Sequence, residues 1–519
     1  MHTSQVIEHL AKRFAALSAG ENLAVGEKAF CDGERFLRIW HAFEQWAPPT
    51  ASLDFFSIAS RDDEKVLSDE ICREFSSLST QIRAIWRRRV PGWNRWVFLE
   101  GRIRLTLVLG EVAETDMPVV NVWLDGKLTS LNQPDALGVA GAVVRHAAPK
   151  TAIVIGGGVA GCSAAYALAQ RGVSVTLLER APQLATGASG NPRGILYARF
   201  GAGDNSLHRF VLAAYGYALG LLDVVLPVDG VLRAECGLLQ LAFSVVEKKR
   251  INNLSARPWP SDLLNFVDAD QASRLTGIGM AHGGLWFSSG GWVVPRALCE
   301  KLADHPLIAI HTSSQVDALA RDDAGWCVTD SHGETLQADV AVMCCAQSAR
   351  DFAQFKHFSF TTVRGQISVL PVTASSRSQR AVVCGDGYCA PSLNGFHVLG
   401  ATHNFNDESV EVRVDDHLEN LQKLTEYAPA LRSALGEVEV EKLTGRAAVR
   451  CSVAGSMPLA GEVEPGLYCS LAHGTRGLLS APLSAEVIAA KICGQLSPLP
   501  QSILKVLFTP FKRIDKQPK

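Results

Sequence analysis

The segment Gly156-x-Gly158-x-x-Gly161 constrains this chain more than any other. It follows the apolar run Ala152-Ile153-Val154-Ile155 and opens a helical stretch, Val159 to Arg171, that stops at Gly172. A second apolar run, Val173 to Leu178, then ends in Glu179. Strand, tight turn, helix, strand and acid are the context in which three glycines become a dinucleotide fingerprint. Gly156 makes the turn, Gly158 lets the backbone approach a pyrophosphate, and Gly161 lets helix and strand pack closely. The helix start offers free N–H groups and a positive dipole end to the phosphates. Glu179 suits ribose hydroxyls and would repel a 2′-phosphate, which disfavours NADP. Such a unit usually begins its fold, yet here residues 1–150 come first.

A chain of 519 residues has room for roughly two to four domains. Hydrophobic content of 47% and charge of 20% exclude a disordered or fibrous chain. The net charge of −2 gives no global pull toward nucleic acid, so any such binding needs a local patch. The N-terminal MHTSQVIEHLAKRF lacks a secretory apolar core, and no apolar run is long enough to span a bilayer. A cytoplasmic protein with no membrane partner is expected. The 13 cysteines show no CxxC pair and no zinc spacing, which points to buried thiols and no metal. Cys451 is kept as a candidate reactive thiol.

The small-residue stretch 136–150, ending in Pro149-Lys150, reads as a linker. Before it lie a helix over Phe36–Trp46 and a strand over Ile103–Leu109. After it, strand signals recur at 237–243, 326–329, 340–343, 366–370 and 396–399, within one discontinuous α/β domain. Pro482 reads as the start of an apolar helix, Leu483 to Cys493, closed by Gly494. Its N-terminus would favour negative charge on a flavin.

Four separated motifs occur in order: Gly187 to Tyr197 (GASGNPRGILY), Gly290 to Pro295 (GGWVVP), Asp386 to Pro391 (DGYCAP) and TRGLLSAPLSAEVIA from Thr475. Over about residues 150–510 they resemble the oxidoreductase half of the bifunctional tRNA 5-methylaminomethyl-2-thiouridine biosynthesis proteins. More widely they resemble flavoproteins of the glycine oxidase and D-amino acid oxidase type. The resemblance implies FAD, and removal of the carboxymethyl group from 5-carboxymethylaminomethyluridine at the tRNA wobble position, with glyoxylate leaving. It implies cofactor contacts at Gly156, Gly157, Gly158, Ala160, Gly161, Glu179, Arg180, Ser189, Gly190, Val316, Gly474, Thr475, Arg476, Gly477 and Leu478. It also implies Arg450 as the clamp on the substrate carboxylate, with Tyr388 donating a second hydrogen bond; a guanidinium fork suits that bidentate task. The implied fold is α/β: a Rossmann-type FAD-binding domain (about 151–225, 286–350 and 445–500) with an inserted α+β substrate domain (about 226–285 and 351–444). Residues 501–519 are expected to form a basic tail. The sequence departs from the family pattern at Val453, Gly455 and Ala346, the last tolerable only if its φ is negative.

In that family an S-adenosylmethionine-dependent methyltransferase precedes the oxidoreductase. Residues 1–135 resemble a truncated remnant of its Rossmann-like fold. The loop Ala29-Phe30-Cys31-Asp32-Gly33 keeps one glycine where three are expected. The acid that should end the second strand is Ala59, and Thr129 and Leu131 replace the proline and lysine expected after Asp125-Gly126. Loss of methyl transfer is the expectation. Trp86, Arg87, Arg88 and Arg89, with Arg83, Trp93, Arg95 and Trp96, form a basic and aromatic cluster suited to phosphates and unpaired bases of an anticodon loop. A solvated helix face beside buried tryptophans explains the same cluster. The remnant is expected to pack on the flavoprotein half, because a truncated sheet exposes edges. A partnership with the enzymes that form the carboxymethylaminomethyl group also follows from the resemblance. Two other readings stay open: an oxidase of small amines such as glycine or sarcosine, and a pseudoenzyme binding FAD or tRNA without turnover.

Overall fold

The computed structural model describes residues 3–60, 69–124, 129–130, 148–201 and 203–512. Asp125-Gly126, Leu131, most of the linker and residues 513–519 lie outside them.

The first half is built on a six-stranded sheet. Asn22–Gly26, Ser52–Ala59, Ile103–Leu109 and Val122–Trp123 run parallel. Gly92–Phe98 and Thr129–Ser130 close the two edges antiparallel. Ser52–Ala59 and Ile103–Leu109 are buried on both faces, as central parallel strands are, and each carries a buried charge, Asp54 and Arg104, among its apolar residues. Phe36, Trp40 and Phe43 of the helix Glu34–Trp46 pack on this sheet with Phe14, Phe55 and Phe98.

A second six-stranded sheet carries the fingerprint, in the order Ile308–His311, Ser174–Leu178, Thr151–Ile155, Val340–Met343, Leu467–Leu471 and Leu459–Glu464. All pairings are parallel except the last. The helix Val159–Ala169 is buried on nearly every face, consistent with a run of alanines that fits between sheet and neighbouring helices. A nine-stranded sheet builds the other part of this half. Its central strand, Thr361–Pro371, pairs on one side with Phe396–Gly400 and Asn404–Phe405, and on the other with Thr444–Ser452. Thr444–Ser452 thus belongs to the substrate sheet, although cofactor-binding sequence was expected to resume at 445. Residues 501–512 are also not a loose tail. They form the helix Gln501–Lys512, with Ile503, Leu504 and Leu507 buried.

The two halves are joined by buried charge. Arg95 donates to Asp54 (3.2 Å) and to Glu486 (3.0 Å), and Arg171 donates to the same Glu486 oxygen at 2.7 Å. Arg104 reaches Asp54 at 2.8 Å, and the other Asp54 oxygen accepts from the Leu496 N–H at 3.1 Å. Burial pushes both carboxyls up, but Arg104 and Arg95 at Asp54, and Arg171 and Arg95 at Glu486, bring each below its ordinary value. Close approach is helped by Gly216 and Gly220 of the helix Ser206–Val225. A Cβ on Gly216 would sit 3.1 Å from the Arg88 carbonyl, and one on Gly220 would sit 3.3 Å from Trp96. Among the described residues no helix is long and apolar enough to cross a membrane.

Candidate active site

A cleft of about 1110 Å³ opens at the C-terminal ends of the parallel strands, the usual place for a ligand in such a sheet. Gly156, Gly158, Ala160, Glu179, Arg180, Ser189, Val316, Gly474, Thr475, Arg476, Gly477 and Leu478 line it, as do Tyr388 and Arg450.

Each glycine of the fingerprint has a separate cause. Gly156 has φ +111°, and a Cβ there would sit 2.7 Å from the Cys344 carbonyl oxygen. A Cβ on Gly161 would run into the Gly156 carbonyl, so this residue permits helix–turn packing and lies behind the cleft wall. Gly158 caps the helix and faces the cleft, with only Ser189 nearby. Gly157 donates its N–H to Glu179 Oε2 at 2.7 Å, and Ala181 donates to Oε1 at 2.9 Å. The Glu179 carboxylate is therefore held rigidly at the cleft edge. Ser189 Oγ accepts from the Val159 N–H at 3.1 Å, which ties the 187–191 loop to the helix start. Gly190 has a different job from the one expected: it makes room for Arg446, whose Cζ would be 2.9 Å from a Cβ there. Arg446 donates to Asn191 Oδ1 (3.1 Å) and to the carbonyls of Thr186 and Gly187 (2.5 Å each), and so clamps this loop.

The closing helix runs Gly477–Ile492, one turn earlier than Pro482 suggested, with that proline inside it. Gly477 to Leu479 line the cleft, so the positive end of this helix faces it. His473 bridges two hydroxyls just before the turn: Nε2 lies 3.0 Å from Ser470 Oγ and Nδ1 2.9 Å from Ser480 Oγ. Ser480 donates its own proton to the Arg476 carbonyl, so its oxygen accepts from Nδ1–H. Burial depresses His473 to about 4, and the ring is neutral at pH 7.

The cleft wall opposite the fingerprint is one face of the nine-stranded sheet. Val363 is in register with Arg450 on one side and Phe405 on the other. Ile367 is in register with Gly400, which itself pairs with Tyr388. In-register partners share a face, so Tyr388 and Arg450 stand on the same one. Gly365 and Gly400 leave space above the sheet; a Cβ on Gly365 would fall 2.5 Å from Arg450 Cζ. Arg450 has no carboxylate partner among the described residues, its one hydrogen bond being a 3.5 Å contact to the Thr402 carbonyl. Burial lowers its pKa, with Tyr388 opposing; burial pushes Tyr388 up to about 12, with Arg450 opposing. The phenol is therefore a neutral O–H donor beside a charged guanidinium. That pair, with free donors, suits a carboxylate.

The departures from the family pattern fall in distinct places. Val453 and Gly455 lie in the turn after Thr444–Ser452 and do not line the cleft. Ala346 does line it, and its φ is +54°, the left-handed region that favours glycine. Cys451 is buried and its thiol is pushed up to about 12 by burial, which removes it as a reactive thiolate.

The basic and aromatic cluster of the first half is mostly spent on the interface between halves. Arg88 is buried and bonded to Asp223 and Glu235, so it cannot reach a phosphate. Arg89 pairs with Asp262 at 2.8 Å. Trp86 stacks on Phe30 and carries Arg89 over its ring, contacts that compete with a stacked base. Arg87 alone of the four residues proposed for tRNA keeps an exposed guanidinium. At the strand ends of this half, Phe30 is buried against Trp86 and Cys31 takes φ +50°. Ala59 ends its strand without a carboxylate. These residues do not fit S-adenosylmethionine, which needs bare backbone and a ribose-holding acid there.

Fold and cleft together define a FAD-dependent oxidoreductase. Residues 151–491 match the FAD dependent oxidoreductase family. Solved structures with this fold include glycine oxidase from Bacillus cereus ATCC 14579 (TM-score 0.55, 21% identity, covering 66% of this chain and 95% of that one). Iminodiacetate oxidase from Chelativorans sp. BNC1 gives TM-score 0.55 and 19% identity, covering 67% and 97%. More narrowly, the chain belongs to the family of tRNA 5-methylaminomethyl-2-thiouridine biosynthesis bifunctional proteins MnmC. It is 41% identical to the one from Nitrosospira multiformis, over 97% of this chain and 92% of that protein. It is 35% identical to the one from Pseudomonas paraeruginosa, over 97% and 91%. The cleft residues fit FAD: a bare-backbone turn at a helix N-terminus, a fixed carboxylate on the next strand, and a second helix N-terminus opposite.

Gly365, Arg446 and Phe405 were missed in the sequence. An isolated glycine in a strand pattern marks close approach, and Gly365 just before the run 366–370 was that signal. Arg446 and Phe405 had none.

Proposed function

We propose that this chain acts on the wobble uridine of tRNA, oxidatively removing the carboxymethyl group from 5-carboxymethylaminomethyluridine or its 2-thio form. The observation that carries the reading is an unpaired, half-buried Arg450 beside a neutral Tyr388 on the cleft wall. FAD supplies an acceptor for an electron pair. Arg450 and Tyr388 hold the carboxylate and so fix the adjacent methylene. That carbon loses a hydride equivalent and the amine a proton, giving an imine. Water adds to the imine carbon, the C–N bond breaks, and glyoxylate leaves 5-aminomethyluridine on the tRNA. The buried neutral His473 keeps a positive charge out of the turn at Gly474.

We infer further that methyl transfer is lost and that the first half serves as a docked support. The alignment with the Nitrosospira relative spans 571 residues against the 519 of this chain, so that relative carries segments this chain lacks. A cytoplasmic location accords with a tRNA substrate, as does partnership with the enzymes that install the carboxymethylaminomethyl group.

Nucleoside analysis of tRNA from a deletion strain tests this reading. Accumulation of the carboxymethylaminomethyl nucleoside is expected, with 5-aminomethyluridine lost; an unchanged nucleoside profile overturns it. Methylated end product that depends on this gene alone would overturn the inference about the first half.

A further inference from the structure

The cleft mouth carries an aromatic ring that neither cofactor binding nor the carboxylate clamp uses. Phe405 lines the cleft and is 69% exposed. What sets it apart from the other exposed aromatics, such as Trp46 and Phe266, is its place on the cleft lining. Its position is fixed by register, since Phe405, Val363 and Arg450 form one row across three strands. Neighbouring strands lie about 4.8 Å apart, so the backbones of Phe405 and Arg450 are about 10 Å apart on one face. The Arg450 guanidinium folds back over Gly365, on the central strand, and so toward Phe405.

The acids that follow the ring in the chain are already paired. Asp407 pairs with Arg413 at 2.6 Å, and Glu408 pairs with Arg350 at 2.9 Å. Val410, 67% exposed, adds apolar surface to the same rim. A neutral, flat, apolar surface beside a cation clamp suits a ligand with a carboxylate at one end and an uncharged ring at the other.

We propose that Phe405 is the stacking platform for a pyrimidine base whose side-chain carboxylate is held by Arg450. This rests on the uridine substrate proposed above. Four single bonds separate the carboxylate carbon from ring C5 in that substrate, about 5 Å when extended. With its carboxylate at Arg450, the uracil therefore reaches the Phe405 end of the row. Stacking is indifferent to base identity, because every base has a π-face. Phe405 thus contributes affinity for a nucleotide substrate, and the 5-substituent read by Arg450 contributes selectivity.

The test compares wild type, Phe405→Ala and Phe405→Trp as FAD-loaded full chains. Each is assayed on tRNA bearing 5-carboxymethylaminomethyluridine and titrated with sarcosine, which has the carboxylate and amine but no base, read by flavin absorbance. Phe405→Ala is expected to raise KM for tRNA about tenfold relative to the sarcosine Kd, and Phe405→Trp to restore the ratio. An unchanged ratio in Phe405→Ala overturns the platform while leaving the uridine reading intact. Equal weakening toward both ligands, without rescue by Trp, overturns it in favour of a role in sheet packing. A wild-type chain that oxidises no tRNA overturns the uridine reading, and the platform falls with it.

Discussion

A Cβ on Gly365 would fall 2.5 Å from Cζ of Arg450, so the guanidinium lies over a glycine on the strand next to that of Phe405. Gly365→Ala is expected to displace the guanidinium, because its far end is free to move while the sheet is not. Turnover should fall at least about tenfold, as a misplacement near 1 Å costs more than that. Steady-state kinetics with flavin content measured alongside check it: FAD occupancy should stay near wild type.

The last two fingerprint glycines should fail differently. Gly158→Ala places a methyl group in the cleft 3.2 Å from Ser189 Oγ, where a pyrophosphate approaches. It should lower FAD occupancy with little change in folding of the apo chain. Gly161→Ala drives a Cβ into the Gly156 carbonyl and should destabilise the apo chain as well. Flavin absorbance and thermal unfolding of both variants separate these outcomes.

Ala346 holds φ +54° at the cleft wall. Replacing it with glycine removes left-handed strain of about 1 kcal/mol. The expected rise in Tm is about 1 °C, because a chain of this size unfolds with an entropy of about 1 kcal/mol/K. No rise would mean that the surrounding contacts already offset the strain.

His473 should make the protein acid-sensitive in a defined window. Its folded value is about 4, against about 6.5 when unfolded. Between these values the unfolded chain binds the extra proton, so this stability is fully present above pH 6.5 and is lost as pH falls toward 4. The full difference is about 3 kcal/mol. Urea unfolding from pH 7 to 4 should show a slope that His473→Gln reduces.

Arg95 bridges Asp54 of the first half and Glu486 of the closing helix, all three buried. Arg95→Ala leaves carboxylates short of partners and should cost about 3–5 kcal/mol. Limited proteolysis should then cut between the halves sooner than in wild type. Arg95→Lys should recover only part, since one ammonium cannot fork to both acids.

Local patterns made much of this legible. The fingerprint and Glu179 are contiguous signals, and the strand at 340–343 and the helix of the first half are set by periodicity that burial then used. Pro482 points to too late a helix start because proline marks a first turn only by preference. Here packing of Gly477–Ile492 against the cleft begins the helix a turn earlier. The arginine cluster at 87–89 shows the harder limit. Arg88 reads as a phosphate contact until Asp223 and Glu235, far along the chain, are seen to enclose it.

The sequence by itself determined that a dinucleotide unit begins near residue 151 and that a flavoprotein domain follows from it; the worn first half and the substrate-directed charge on Arg450 are expectations it raised. Those features rest on glycines, strand ends and motifs that work within a few residues. Only the tertiary structure decided which arginines are spent on burial and which stay free. It also decided that Gly365 clears a place for Arg450 and that Phe405 shares its row. Register across a sheet joins residues distant in sequence, and no local pattern encodes which of them will face each other.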